Sequence, residues 1–292
     1  MDAHVGRLAV YPVKSFAGHV VDAFDIGVAG PADDRRWMVV DEHGVTLTAR
    51  KFPTMLSATA EPLRGGVRLG SATLGSLDVA EPADGRTLDV TMSRVGTATD
   101  AGDEAAQWCS DLVGRLARLV WLDDPARRGM SEKHGGTLDD PLALTDTAPV
   151  HLFSSASLQQ MNVWASQAHD EVVAAALSRG DAAPGPYQPL DVRRFRPNIV
   201  VEGDLEPFVE DGWGRITLGD VELRFADHCG RCVMTTVDPD TYAKGREPLR
   251  SLARHRRWDG EVWFGIQAVP LRPGRIAVGD PVGATARAAA PA

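Results

Sequence analysis

Cys229-Gly230-Arg231-Cys232 is the first feature that could do chemistry, because two thiols at this spacing can chelate a metal, form a redox disulfide, or leave one thiolate to act alone. Structural zinc wants four ligands, and the remaining cysteine, Cys109, lies far off in a helical pattern, so a zinc site would have to recruit His228 or distant histidines. A thioredoxin-type dithiol sits at the start of a helix, whereas Val233-Met234-Thr235-Thr236-Val237 is rich in β-branched residues and reads as a strand. What remains is a solitary thiolate beside Arg231, a soft ligand suited to a soft or high-valent metal. The alternative, two inert buried cysteines, weighs more on Cys229 than on Cys232.

A second set of residues could bind an anion. Lys14-Ser15, Arg35-Arg36, Arg50-Lys51 and the group Arg193, Arg194 and Arg196 each stand at the end of an expected strand. Arginine offers paired donors to phosphate or carboxylate, and the serines from Ser154 to Ser157 open a helical pattern whose first N–H groups could do the same. Taken singly, each cluster reads equally as a solvated strand end, and the serines as a cap. Arg250, Arg254, His255, Arg256 and Arg257 form a basic helical face that reads as solvated.

Around these residues the chain is mostly β-type text. Short runs at Leu8–Val13, Val20–Gly27, Trp37–Asp41, Val45–Ala49, Val67–Leu74 and Leu88–Met92 are cut by turn residues, which predicts a barrel or sandwich-like antiparallel unit. A helix follows over 102–118, with Asp100 as its N-cap and Trp108, Leu112 and Leu116 on one face, next to a buried Cys109. Residues 122–147 lack any sustained period and read as the connection to a second unit. That unit holds a strand at 150–153, a helix through Leu158, Met161 and Trp164, and a long loop over 180–191. Further strands are expected at 198–202, 216–218, 221–226, 233–237, 262–268 and 276–278, and a short helix from Pro248.

The 292 residues carry 31 Lys and Arg against 40 Asp and Glu, a formal net charge of −9. This argues against a general nucleic-acid or anionic-membrane coat and makes any anion site a local one. Three cysteines exclude a disulfide framework and suit a reducing, cytoplasmic setting. Neither a basic leader nor a membrane-spanning apolar run is visible. P-loop, Rossmann and zincin patterns are also absent from the sequence.

At these same residues the chain resembles a known family. Tyr11-Pro12-Val13-Lys14-Ser15, Asp34-Arg35-Arg36-Trp37-Met38-Val39-Val40-Asp41 and Leu47-Thr48-Ala49-Arg50 are similar to the N-terminal β-barrel domain of MOSC proteins. Phe195-Arg196-Pro197-Asn198-Ile199-Val200, the Cys229 to Cys232 segment with Thr235 to Thr241, and Val278-Gly279-Asp280-Pro281-Val282 resemble the MOSC domain itself. The type is that of the mitochondrial amidoxime-reducing component and its bacterial relatives.

The resemblance implies an α+β, predominantly β fold: an N-terminal β-barrel-like domain over 1–120, a MOSC β-barrel domain over 121–283 with a few peripheral helices, and a disordered tail over 284–292. It implies a molybdenum cofactor, with Cys232 as the thiolate ligand and catalytic residue. Lys14, Ser15 and Arg35 would hold the pterin phosphate or ring edges, Arg196 and Asn198 would line the pterin, and Ser154 would contribute near its helix start. The implied activity is reduction of small N-hydroxylated compounds by oxygen-atom abstraction, with electrons from a separate donor protein and without nucleic acid or membrane. A cofactor or sulfur carrier on the same fold is the rival, and a zinc or redox switch a third reading. Two departures stand out: Gly230 where relatives often carry Ser, and Tyr242 where Gly usually follows the Asp-Pro-Asp-Thr run.

Overall fold

The structure is a computed structural model that describes residues 2–287. In chain order the first half contains β1 (Ala3–Val10), β2 (His19–Val21), β3 (Ala23–Gly27), β4 (Gly30–Pro31), β5 (Trp37–Val40), β6 (Thr59–Leu63) and β7 (Gly66–Ser71). It continues with β8 (Gly75–Ala80), β9 (Thr87–Val90), β10 (Gly96–Asp100), α1 (Asp103–Val113) and β11 (Arg118–Trp121). The second half contains β12 (Val150–Ser154), α2 (Ser155–Ser178), β13 (Ile199–Gly203), β14 (Trp213–Leu218) and β15 (Val221–Gly230). It ends with α3 (Leu249–His255), β16 (Arg257–Trp258), β17 (Glu261–Arg272), β18 (Gly274–Ala277) and β19 (Val282–Ala286). The class is α+β and predominantly β, as expected.

The main sheet runs β19-β14-β15-β17-β12-β13-β1-β2, with β16 added to β17. It curls until its ends approach: Val5 N–H donates to Asp280 C=O at 2.9 Å, and Gly279 N–H donates to Val5 C=O at 2.7 Å. The ladder is not continuous around this ring. Inside it Val5, Leu8, Leu152, Ile199, Ile216, Leu223 and Ile266 form one fully buried core, the expected outcome of period-two burial along strands that face one another. Strands β5 to β11 and α1 enclose a second core around Phe16, Trp37, Met55 and Leu119.

The two sequence halves interleave. β1 pairs with β13, and β3 pairs with β18, so residues before 28 are built into sheets with residues after 198. A site assembled at the ends of β1, β12, β13 and β15 therefore draws on both halves.

Several local expectations are corrected. Residues 45–49 form no strand; Thr46 only bridges Val40. The expected helix stops at Val113, where Gly114 turns left-handed (φ +72°), leaving Leu116 exposed. Asp100 is not its cap: the buried carboxylate pairs with Arg118 at 2.7 Å, and Gly102 takes the cap position. Cys109 is indeed a buried core thiol, pushed by burial up to about 12. The expected strand over 233–237 is instead a 3-10 turn, Val233–Thr236. There the Thr235 and Thr236 hydroxyls donate to the Cys232 and Val233 carbonyls at 2.9 and 2.8 Å, local side-chain-to-backbone bonds by which threonine offers an alternative to a strand ladder. In the expected tail, Ala284 to Ala286 are paired with β14; residues 288–292 lie outside the described residues.

The 24-residue α2 begins on a compact polar knot. Ser154 accepts the Ser157 N–H at 3.1 Å, and the fully buried Glu210 accepts from Ser154 Oγ at 2.9 Å and Ser157 Oγ at 2.6 Å. A carboxylate at a helix N-terminus is favoured by the helix dipole, yet burial raises the Glu210 carboxyl above its ordinary 4.5. None of the described helices is long and apolar enough to cross a membrane.

Two stability outcomes follow. Because the folded protein binds the Glu210 proton more tightly than the unfolded chain, its contribution is full below pH 4.5 and declines as pH rises through the raised folded value. Glu210→Gln flattens this slope in urea titrations across pH, whereas Glu210→Ala also orphans the serine donors and costs about 3 kcal/mol at acid pH, falling as pH rises; an unaltered slope in the Gln variant contradicts the assignment. Tyr242 has φ +60°, so Tyr242→Gly raises the urea midpoint by relieving about 1 kcal/mol of left-handed strain, and a lowered midpoint counts against it.

Candidate functional site

A cleft of about 610 Å³ opens where the turn after β1, the segment before β12, the turn before β13 and the end of β15 meet. Of the residues singled out from sequence, Lys14, Ser15, Arg35, Arg196, Asn198 and Cys232 all line it. Seven Lys or Arg side chains face four carboxylates there, an inversion of the chain's overall sign. Arg50 and Arg194 join the lining; Arg36 turns away to the Leu122 carbonyl at 2.6 Å, and Arg193 is held by Asp191 and Asp240.

The cradle is built around Tyr11. The guanidinium carbons of Arg35 and Arg196 lie 4.4 and 4.2 Å from its ring centroid. Arg35 is paired with Asp34 and reaches Asn198 Oδ1 at 3.2 Å, while Arg196 donates to Phe16 C=O at 2.5 Å. Burial, with the nearby charge of Arg35, lowers Arg196 to about 10. Ser15, Arg35 and Arg196 all adopt left-handed backbone, φ +71°, +48° and +55°, strain of the kind stored where side chains must be aimed. Asn198, almost fully buried, receives the His151 N–H at 3.2 Å and donates to Ala9 C=O at 3.3 Å. It ties β1 to β12 and fixes Arg35.

At the rim, Lys14 Nζ donates to Leu144 C=O at 2.9 Å and to Asp146 at 2.5 Å, and Arg50 pairs with the other Asp146 oxygen at 2.6 Å. The charge of Lys14 drives the Asp146 carboxyl far below its usual range, while burial lowers the Lys14 ammonium.

The cysteines occupy different environments. Cys229 is buried, with Arg231 Nη1 at 2.8 Å and Gln267 Nε2 at 3.7 Å from its sulfur. Cys232 is exposed on the cleft wall, at the residue that starts the 3-10 turn. Arg231 therefore serves Cys229, not Cys232 as sequence proximity implied. Register shifts in the β15–β17 pair between Phe225 and Asp227 and between His228 and Gly230 bend this end of β15 where it meets the cleft. A Cβ at Gly230 would meet Trp263 only at 3.6 Å, so the missing serine leaves room rather than resolving a clash.

Ser154 is not in the cleft. It is fully buried and spent on the α2 cap, where the Glu210 carboxyl already fills that helix start. The basic face of α3 is ion-paired, Arg250 with Glu247, Arg254 with Glu171 and Arg256 with Asp211.

His151, His134, Asp227 and Gln267 were missed by sequence reasoning. His151 sits in an apolar strand run and His134 in the connection, so no local pattern marks either. His151 Nδ1 faces Arg196 C=O at 3.4 Å and Nε2 faces Arg231 Nη1 at 3.3 Å. Burial, and then the Arg231 charge, hold it well below 6.5. A neutral ring with Nδ1–H donating and Nε2 accepting satisfies both contacts.

Four of the buried polar atoms without a partner among the described residues belong to cleft residues: Thr145 Oγ1, Arg194 Nε, Arg231 Nε and Gln267 Oε1. The other five lie outside the cleft; each of the four leaves hydrogen-bonding capacity unspent beside the cleft.

The model for the MOSC N-terminal beta barrel domain matches residues 2–116, and the model for the MOSC domain matches residues 139–283. Mitochondrial amidoxime reducing component 2 of Rattus norvegicus is 31% identical over 299 residues, spanning 95% of this chain and 82% of that protein. Mitochondrial amidoxime-reducing component 1 of Homo sapiens is 32% identical over 301 residues, with the same coverage of both chains. Molybdenum cofactor sulfurase of Danio rerio is 32% identical over 269 residues, which make up 89% of this chain but only 31% of that protein.

At pH 6.5, where an ordinary histidine is half charged, the ring resonances of His151 stay at the neutral position in an NMR titration; a half-protonated His151 at that pH contradicts the assigned network.

Proposed function

This chain belongs to the MOSC family, and on that footing we propose that it is a molybdenum-cofactor-dependent reductase of N-hydroxylated compounds such as amidoximes, hydroxylamines and N-hydroxylated base analogues. The carrying observation is that Lys14, Arg35, Arg196 and an exposed Cys232 line one cleft, although 218 positions separate the first from the last. The donor set fits the cofactor: a cation-rich wall for a phosphate, orphaned polar atoms for a pterin edge, and a soft thiolate for the metal.

In this reading Lys14, Ser15 and Arg35 hold the phosphate, Arg196 and Asn198 shape the pterin wall, and Cys232 ligates the metal. Arg231, braced by His151 at 3.3 Å and the Phe195 carbonyl at 2.6 Å, keeps its guanidinium fixed in the cleft lining with Nε unpaired among the described residues. Bound there, the cofactor supplies two-electron abstraction of a nitrogen-bound oxygen. The chain contributes binding, orientation and charge. A separate protein delivers the electrons, and three free thiols suit a reducing compartment. By sequence we divide the chain into an N-terminal domain, 1–120, and a MOSC domain, 121–283.

A second reading, a cofactor or sulfur carrier, draws on the exposure of Cys232 and on the relative named a sulfurase. The two separate in one assay. Protein made in a host that supplies the cofactor consumes reduced viologen when given an N-hydroxylated amidine, and Cys232→Ala lowers kcat at least ~100-fold. Undiminished turnover in Cys232→Ala overturns the role of that thiolate. An inert wild type that hands its cofactor to an apo-enzyme, or carries persulfide on Cys232, favours the carrier.

A further inference from the structure

The reaction proposed above consumes protons as well as electrons, and the inference here rests on that reading. Reduction of an N-hydroxy group breaks one N–O bond and forms one N–H bond. Two electrons come from the redox partner, one proton goes to nitrogen, and a second leaves with the oxygen in water.

We propose that His134, oriented by Asp227, delivers the proton that forms the N–H bond. His134 Nδ1 lies 3.1 Å from Asp227 Oδ2, and Asp227 Oδ1 accepts the His228 N–H at 2.8 Å, so the carboxylate is fixed at both oxygens. In the protonated ring Nδ1–H is directed at the carboxylate and Nε2–H is the proton to be delivered, on a nitrogen with no protein partner among the described residues. Both side chains are half-buried and line the same cleft as Cys232.

The segment that carries His134 is pinned in place. Gly135 has φ +67°, and a Cβ there would stand 2.0 Å from Ala226 C=O, so this backbone packs directly on β15. Arg224 on that strand donates to Gly135 C=O at 2.8 Å and to Asp140 at 2.6 Å. Other charges around the pair are Lys133 beside it, His228 and Asp211 along the neighbouring wall, and Asp259 and Glu261 among the cleft's lining.

The other cleft histidines are already committed. His151 has both ring nitrogens engaged and is held neutral, and His228, packed among the Phe225, Trp258 and Trp263 rings, has Asp211 at 3.8 Å, too far for the hydrogen bond that would orient it. His134 is thus the cleft imidazole with both a carboxylate partner and a free nitrogen, the arrangement that orients a general acid. Asp227 acts through it as a positioning residue.

The test uses cofactor-loaded wild type, His134→Gln and Asp227→Asn at matched molybdenum content, with reduced viologen as electron source and an N-hydroxylated amidine as substrate. Wild-type kcat falls as rising pH deprotonates the donor. His134→Gln lowers kcat ~100-fold and abolishes that limb, within the range for a lost general acid. Asp227→Asn lowers kcat, and 15N NMR shows loss of the Nδ1–H tautomer at His134, a readout independent of turnover. Wild-type kcat and pH profile in His134→Gln overturn the proposal and leave the reductase reading standing. A loaded wild type with no turnover of N-hydroxylated compounds overturns both.

Discussion

Arg35 and Arg196 lie over the same tyrosine ring, and the architecture of the cleft follows from holding those like charges together. Burial, and then their repulsion, show in Arg196, lowered to about 10. The structure offsets this with Asp34, the Asn198 oxygen, the Phe16 carbonyl and the face of Tyr11. What it does not supply is enough negative charge: the cleft lining stays cationic in a chain whose net charge is −9. Such a field is worth its strain when an anion completes it. The same logic explains why the other ready-made anion site, the start of α2, is closed by Glu210.

The curled sheet is what lets distant residues share this field. β1 delivers Tyr11 to Ser15, β13 follows directly on Arg196 and Asn198, and the bulged β15–β17 pair brings the two cysteines. Behind them Phe153, Phe195 and Phe264 pack with ring centroids 4.3 to 5.8 Å apart, a rigid apolar backing for the polar wall. Segment 122–147, with only two short 3-10 turns, is more than a connection: it contributes Lys133, His134, Thr145 and Asp146 to the cleft.

Much of this was legible in the sequence where chemistry and position coincide. Lys14, Arg35, Arg196 and Cys232 are residue types whose chemistry shows without neighbours, and the strands around them are apolar runs cut by turn residues. Three kinds of feature were not legible. Long-range partners decided Ser154, whose cap is shared with a glutamate 56 positions away. Tertiary context overrode propensity at 233–237, where β-branched residues turn because β15 has ended. Side-chain direction reversed the expected role of Arg231, whose guanidinium points to Cys229 rather than to its sequence neighbour Cys232.

The most direct test of the central claim is molybdenum analysis paired with fluorescence of the oxidised pterin, on protein produced in a host that makes the cofactor. Wild type and an Arg35→Leu, Arg196→Leu double variant are compared. The account predicts molybdenum and pterin equimolar with the wild-type chain, and both lost from the double variant while it remains folded. A wild type that carries zinc, or neither metal nor pterin, contradicts it, as does a double variant that retains both in full.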